Sequence, residues 1–162
     1  MRIFKGKNLK LILVVAVIFV AVTAIFTLNN TGDCLVIKDA NTGKTIASYE
    51  LFEGGKFSVG FKHSVNQSLV EDRYVIENSQ IMVYETLYYH FGAGVQSEIL
   101  EGQTLTQTDD GGMVVGNINT VMTNLIYSIS PVYDHILKIN EQEISLKELC
   151  GDTRHILLEY KN

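Results

Sequence analysis

From residue 11 to residue 28 the chain reads LILVVAVIFVAVTAIFTL, with no charge and only Thr23 and Thr27 polar. A helix of that length rises about 27 Å, the thickness of a hydrocarbon core. It has no polar face, so it is unsuited to the surface of a globular domain. Arg2, Lys5, Lys7 and Lys10 precede it and no acidic residue does, which by the positive-inside rule keeps the N-terminus cytoplasmic and sends everything after Asn29 outside. The predicted organisation is a basic stub and single-pass cell-membrane anchor over residues 1–30, then an extracytoplasmic domain over residues 31–162. The competing reading is a cleaved signal peptide, with Val22 and Ala24 as the small residues before the cut; against it, the apolar run continues through Ile25 and Phe26 and exceeds a usual signal core. Cys34 follows Gly32-Asp33, past the apolar run, which is not the setting of a lipid-modified cysteine.

Thirteen basic residues against eighteen acidic ones give a net charge of -5, and four of those cations lie in the stub. The exported part is therefore strongly acidic. That excludes nucleic acid as a partner, since binding it needs a phosphate-neutralising surface, and disfavours adhesion to anionic headgroups. In length, 162 residues allow one domain beside the anchor.

After the anchor the pattern changes to short apolar and aromatic runs separated by turn residues, which predicts an all-β domain. The expected strands are Cys34 to Lys38, Thr45 to Glu50, Phe57 to His63, Arg73 to Glu77, Ile81 to Phe91, Gly112 to Ile118, Thr123 to Ser130, His135 to Ile139 and Arg154 to Tyr160. Turns are expected at Asn41 to Gly43, Glu53 to Gly55, Asn78-Ser79 and Asp109 to Gly112, where Gly and Asn reach positive φ at little cost. Ser145 to Gly151 reads as one helical turn closed by glycine. The strands suit a single antiparallel β-sandwich or a partly closed barrel. Cys34 and Cys150 bracket the domain and are either bridged or separately buried as free thiols.

Strand alternation singles out polar residues in phase with the core. His63 continues the series Phe57, Val59, Phe61. Glu85 shares a phase with Ile81, Val83 and Leu87, Arg154 with Ile156 and Leu158, and His135 with Leu137 and Ile139. Four inward ionisable groups must pair, reach a rim or bind something. The alternatives are a structural Glu85–Arg154 pair with the histidines hydrogen-bonded nearby, a pocket in which Arg154 and His63 receive an anion, and a metal site of His63, His135 and Glu85, which lacks metal-motif spacing. No cofactor is implied. GxSxG, SxxK, P-loop and CxxC motifs are absent, and Ser64 faces away from its neighbour His63, so no enzymatic activity is expected. Asp109 to Gly112 lacks the later ligands of a calcium loop.

The run Phe57-Ser58-Val59-Gly60-Phe61-Lys62-His63-Ser64-Val65, followed by Val70-Glu71-Asp72-Arg73-Tyr74, Glu85 and Phe91-Gly92-Ala93-Gly94, resembles the family catalogued as domain of unknown function 1850. The likeness covers most of the exported part and ends near Arg154 to Tyr160. It implies a small anchored or exported protein whose gene neighbours a tripartite transporter of the TAXI type, hence an accessory to solute uptake. One departure is Leu69, where the family pattern leads one to expect proline, so a looser turn is expected after His63.

The sequence therefore leads to a membrane-tethered extracytoplasmic binding domain, accessory to such an uptake system, that contacts a small anionic solute or transporter subunits. Its expected ligand-binding residues are His63, Ser64, Glu71, Glu85, Gly92, Gly94 and Arg154. Ser64 offers a hydroxyl, Glu71 a carboxylate and the two glycines unobstructed backbone donors. The alternative is a structural or envelope protein-interaction domain with no ligand of its own.

Overall fold

The computed structural model describes residues 32–65, 67–89 and 98–162, and Asp33–Asn162 is one compact unit. Its described residues form eleven strands: β1 (Cys34–Asp39), β2 (Thr45–Glu50), β3 (Lys56–Lys62), β4 (Leu69–Glu77), β5 (Gln80–Tyr88), β6 (Thr104–Gln107), β7 (Met113–Val121), β8 (Leu125–Ser128), β9 (His135–Ile139), β10 (Gln142–Ser145) and β11 (His155–Lys161). One short helix, α1 (Leu146–Cys150), precedes β11. The strands form two antiparallel sheets, β2-β1-β11-β8 and β10-β9-β3-β4-β5-β7-β6. The domain is all-β. Among the described residues no helix is long and apolar enough to cross a membrane, and the expected anchor at residues 11–28 lies outside them.

The turn chemistry explains the connections. Asp39 caps the first turn by accepting from the backbone N–H groups of Asn41 and Thr42 at 2.8 and 2.9 Å, and Gly43 takes φ 72°. Asn78 and Ser79 both adopt positive φ between β4 and β5, the geometry of a tight hairpin turn. Asn140 and Glu141 do the same between β9 and β10. At α1, the Ser145 hydroxyl accepts from the Glu148 N–H at 3.0 Å, and Gly151 closes the helix at φ 56°, as its composition led one to expect.

Both sheets contribute to one core. Leu35, Ile37, Leu125, Tyr127, Ile156 and Leu158 from the smaller sheet pack with Phe57, Val59, Tyr74, Ile76, Ile81, Leu137 and Ile139 from the larger. The two cysteines are free. Cys150 joins the core, whereas Cys34 alternates with the core residues Leu35 and Ile37 along β1 and so lies on the other face of its sheet.

Strand β5 departs from simple alternation, and this corrects the expected phase of Glu85. Arg73 pairs with Glu85 but Tyr74 pairs with Val83, so Tyr84 is an extra residue on β5. Opposite it, β7 makes its own excursion between Gly116 and Thr120, with Asn117 and Asn119 at positive φ. A bulge inverts the faces of the strand that follows it. Ile81 and Val83 point into the core, but beyond Tyr84 it is Thr86 that is buried on the inner face, and Glu85 turns to the outer face beside Arg73.

Candidate functional site

Alternation along β3 and β4 places Ser58, Gly60, Glu71 and Arg73 on the face of the seven-stranded sheet opposite the core. Strand β9 adds Lys138, paired with Ser58. There Glu71 accepts from Lys138 Nζ at 3.0 Å and from Arg73 Nε at 3.1 Å, while Arg73 Nη1 reaches Glu85 at 3.1 Å. Lys138 also lies 3.8 Å from Glu143. The result is an ion-pair ladder of alternating sign. Glu71 is only 6% exposed; burial alone would raise its carboxyl, but the hydrogen bonds from Lys138 and Arg73 outweigh burial and hold it below the ordinary value. Burial pulls the Arg73 guanidinium down, and Glu71 and Glu85 more than offset it.

Glu71, Arg73, Lys138 and Glu143 of the ladder line a cleft of about 470 Å³. The β9–β10 hairpin, Asn140 to Glu143, makes one wall and Tyr84 the other. Lys56 holds its ammonium 4.7 Å from the centre of the Tyr84 ring. The bulge makes this wall, because the extra residue on β5 is Tyr84 itself. Removing Glu71 should be felt, although Arg73 and Lys138 are partly solvated and can rehydrate. We expect Glu71→Ala to lower the unfolding free energy by about 1 to 2 kcal/mol, less than for a fully buried pair. The partly exposed Glu85→Ala should cost less than about 1 kcal/mol, and urea denaturation of both variants measures the difference.

On the inner face, where Asp72 of β4 pairs with Val59 of β3 and Thr86 of β5, lies a second polar group. Tyr127 on β8 donates to Asp72 Oδ2 at 3.1 Å, its hydroxyl meets that of Tyr74 at 2.6 Å, and Thr86 Oγ1 donates to Asp72 Oδ1 at 2.9 Å. Among the described residues, the Thr86 and Tyr127 hydroxyls donate to this carboxylate, and burial raises its pKa against their pull. His135 stacks on Phe61 with ring centres 5.1 Å apart and meets Tyr127 edge-on at 6.1 Å. Burial lowers its pKa, against the Asp134 carboxylate and the Tyr133 carbonyl. Ser68 Oγ and His135 Nδ1 are buried without a hydrogen-bond partner among the described residues.

A family model for a domain of unknown function, DUF1850, matches residues 57–146. The chain belongs to this family. The matched segment of the DUF1850 domain runs from β3 to the first residue of α1, so it holds both polar groups and omits β1, β2 and β11. No curated protein and no solved structure matches the chain.

The expected site residues separate, and Arg154 lies outside the segment matched to DUF1850. Glu71 and Glu85 come together through Arg73. His63 is half-buried in the turn after β3, where its N–H donates to the Ser68 carbonyl at 2.8 Å, and Ser64 beside it is exposed. Gly92 and Gly94 lie outside the described residues. Arg154 is exposed, in the smaller sheet's half of the fold just before β11, so the expected inward Glu85–Arg154 pair is replaced by Glu85–Arg73. His135 is inward as expected, but Glu85 is on the other face of the sheet, and among the described residues no group of three or more His, Cys, Asp or Glu side chains could hold a metal ion. Lys56, Arg73, Tyr84 and Lys138 were not anticipated. The signal for Arg73 was available, two residues from Glu71 on one strand face; Tyr84 needed the bulge.

Proposed function

We propose that this chain is a membrane-tethered extracytoplasmic β-sandwich domain, accessory to a TAXI-type tripartite uptake system, whose outer-face cleft receives a small solute. The observation that carries this reading is the position of the ion-pair ladder. A polar cluster that merely specified the fold would sit between the sheets, as Asp72 and its hydroxyls do; the ladder lies outside the core and lines a cleft of small-molecule size. The link to uptake rests on the family resemblance. The test is transport by cells carrying the full chain with Lys56→Gln and Lys138→Gln. Expected is slower uptake by the neighbouring transporter at unchanged protein level, and wild-type uptake would reject the reading.

A second reading, a protein-interaction domain, is favoured by the loop tips at one end. Val65 and Val132 are 67% and 71% exposed, and their loops are tied by a hydrogen bond from the Tyr133 hydroxyl to Gln67 at 2.7 Å. Crosslinking from Val132→Cys to a transporter subunit, with no solute response, would put this reading first.

A further inference from the structure

We propose that the cleft is selective for a single negative charge: it takes a small monoanion at Lys56 against the Tyr84 ring and discriminates against polyanions. This rests on the solute-binding reading above and names the ligand class it implies. Three cations line the cleft, Lys56, Arg73 and Lys138. Two of them are committed. Arg73 is shared between Glu71 and Glu85 at 3.1 Å each, and Lys138 between Glu71 at 3.0 Å and Glu143 at 3.8 Å. Lys56 differs. It is exposed, and among the described residues no carboxylate lies within 4 Å of its ammonium; its recorded contact is the face of Tyr84.

A cation seated on an aromatic face keeps its full charge, is partly stripped of water and remains open to an anion on its other side. The same ring gives an apolar or planar part of the ligand a surface to lie on. A second negative group on that ligand finds no further uncommitted cation. It meets the carboxylates of Glu71, Glu141 and Glu143, which also line the cleft, and like charges brought together in a partly desolvated site repel strongly. The Glu71 carboxylate thus sets the charge limit: it neutralises the two cations that would otherwise welcome a polyanion.

The test is calorimetric titration of the purified full chain at low ionic strength with benzoate, citrate and choline as probes. Expected is benzoate binding at least about tenfold tighter than citrate, a factor worth about 1.4 kcal/mol, and weakening of benzoate by a similar factor in Lys56→Gln. Glu71→Gln keeps the side-chain shape while releasing Arg73 and Lys138, and should raise citrate affinity more than benzoate affinity. Citrate binding as tightly as benzoate to the wild type, or benzoate binding unmoved by Lys56→Gln, would overturn the assignment. Choline binding without benzoate binding would keep a solute cleft and overturn its anion selectivity. Silence from all three probes would remove the solute-binding reading together with this one.

Discussion

Tyr127→Ala should lower the unfolding free energy by about 3 to 5 kcal/mol, the range for removing a large aromatic side chain from a core. Tyr127 is 9% exposed and belongs to the shared core. It packs edge-on against both Phe61 and His135 and is the smaller sheet's contribution to the polar chain through Asp72 and Tyr74. Tyr127→Phe separates the two roles. It keeps the ring and removes the hydroxyl, leaving Tyr74 and Asp72 each short of a buried partner, and should cost about 1 to 3 kcal/mol. Urea unfolding of the parent and both variants checks the order. A Phe variant as stable as the parent would mean that the hydroxyl chain does nothing for sheet docking.

The second large effect is on pH dependence. Burial raises the Asp72 pKa in the folded state, so the folded protein keeps this proton at pH values where the unfolded chain, at about 3.9, has lost it. By linkage, the Asp72 contribution to stability is greatest below the ordinary carboxylate value and declines as pH rises from there through the raised value. Asp72→Asn removes the titrating group while keeping an oxygen to accept from Tyr127 or Thr86. Plotted as variant minus parent, unfolding free energy should therefore climb with pH from about 4 and level off above the raised value. A difference that instead falls over this interval would show an ionised Asp72 that stabilises the fold. The outer carboxylate Glu71 has the opposite sign: its pKa is lowered, so its contribution is present above the ordinary value and is lost as pH falls through the lowered one.

Much of the strand pattern was legible because burial alternates with period two wherever the ladder is regular. Thr45–Glu50 and His135–Ile139 were read to the residue, and the turns at Asn41 to Gly43 and Asn78-Ser79 followed from Gly and Asn chemistry. The polar edge strands Thr104–Gln107 and Gln142–Ser145 escaped, since all four residues of the first are exposed and alternation has nothing apolar to mark. Glu85 was misplaced because one extra residue, Tyr84, shifts the phase, and no local feature of VYET announces a bulge. Arg154 was misplaced because period two was carried one residue past the strand's beginning, where the chain leaves the sheet. Asp72 was visible in sequence but unread. Starting that strand at Arg73 rather than Leu69 cut it off from the phase of Val70, Tyr74 and Ile76, which puts it inside.

The hydrogen bonds that close the sheets also give the domain a direction. The chain enters at Asp33, whose carbonyl accepts from Leu51, while Asn140 bonds the Glu50 carbonyl and Asn162 bonds Ser79. The beginning of β1, the ends of β2 and β11 and the turns at residues 78–79 and 140–141 are thus gathered at one pole. The His63–Ser68 turn and Tyr133 belong to the other, separated along β3 by seven residues, or about 23 Å. A pull applied at Asp33 acts first on β1, which is flanked by β2 on one side and β11 on the other. The cleft walled by residues 140–143 therefore lies toward the pole where the chain enters, and the exposed tips Val65 and Val132 lie at the far one.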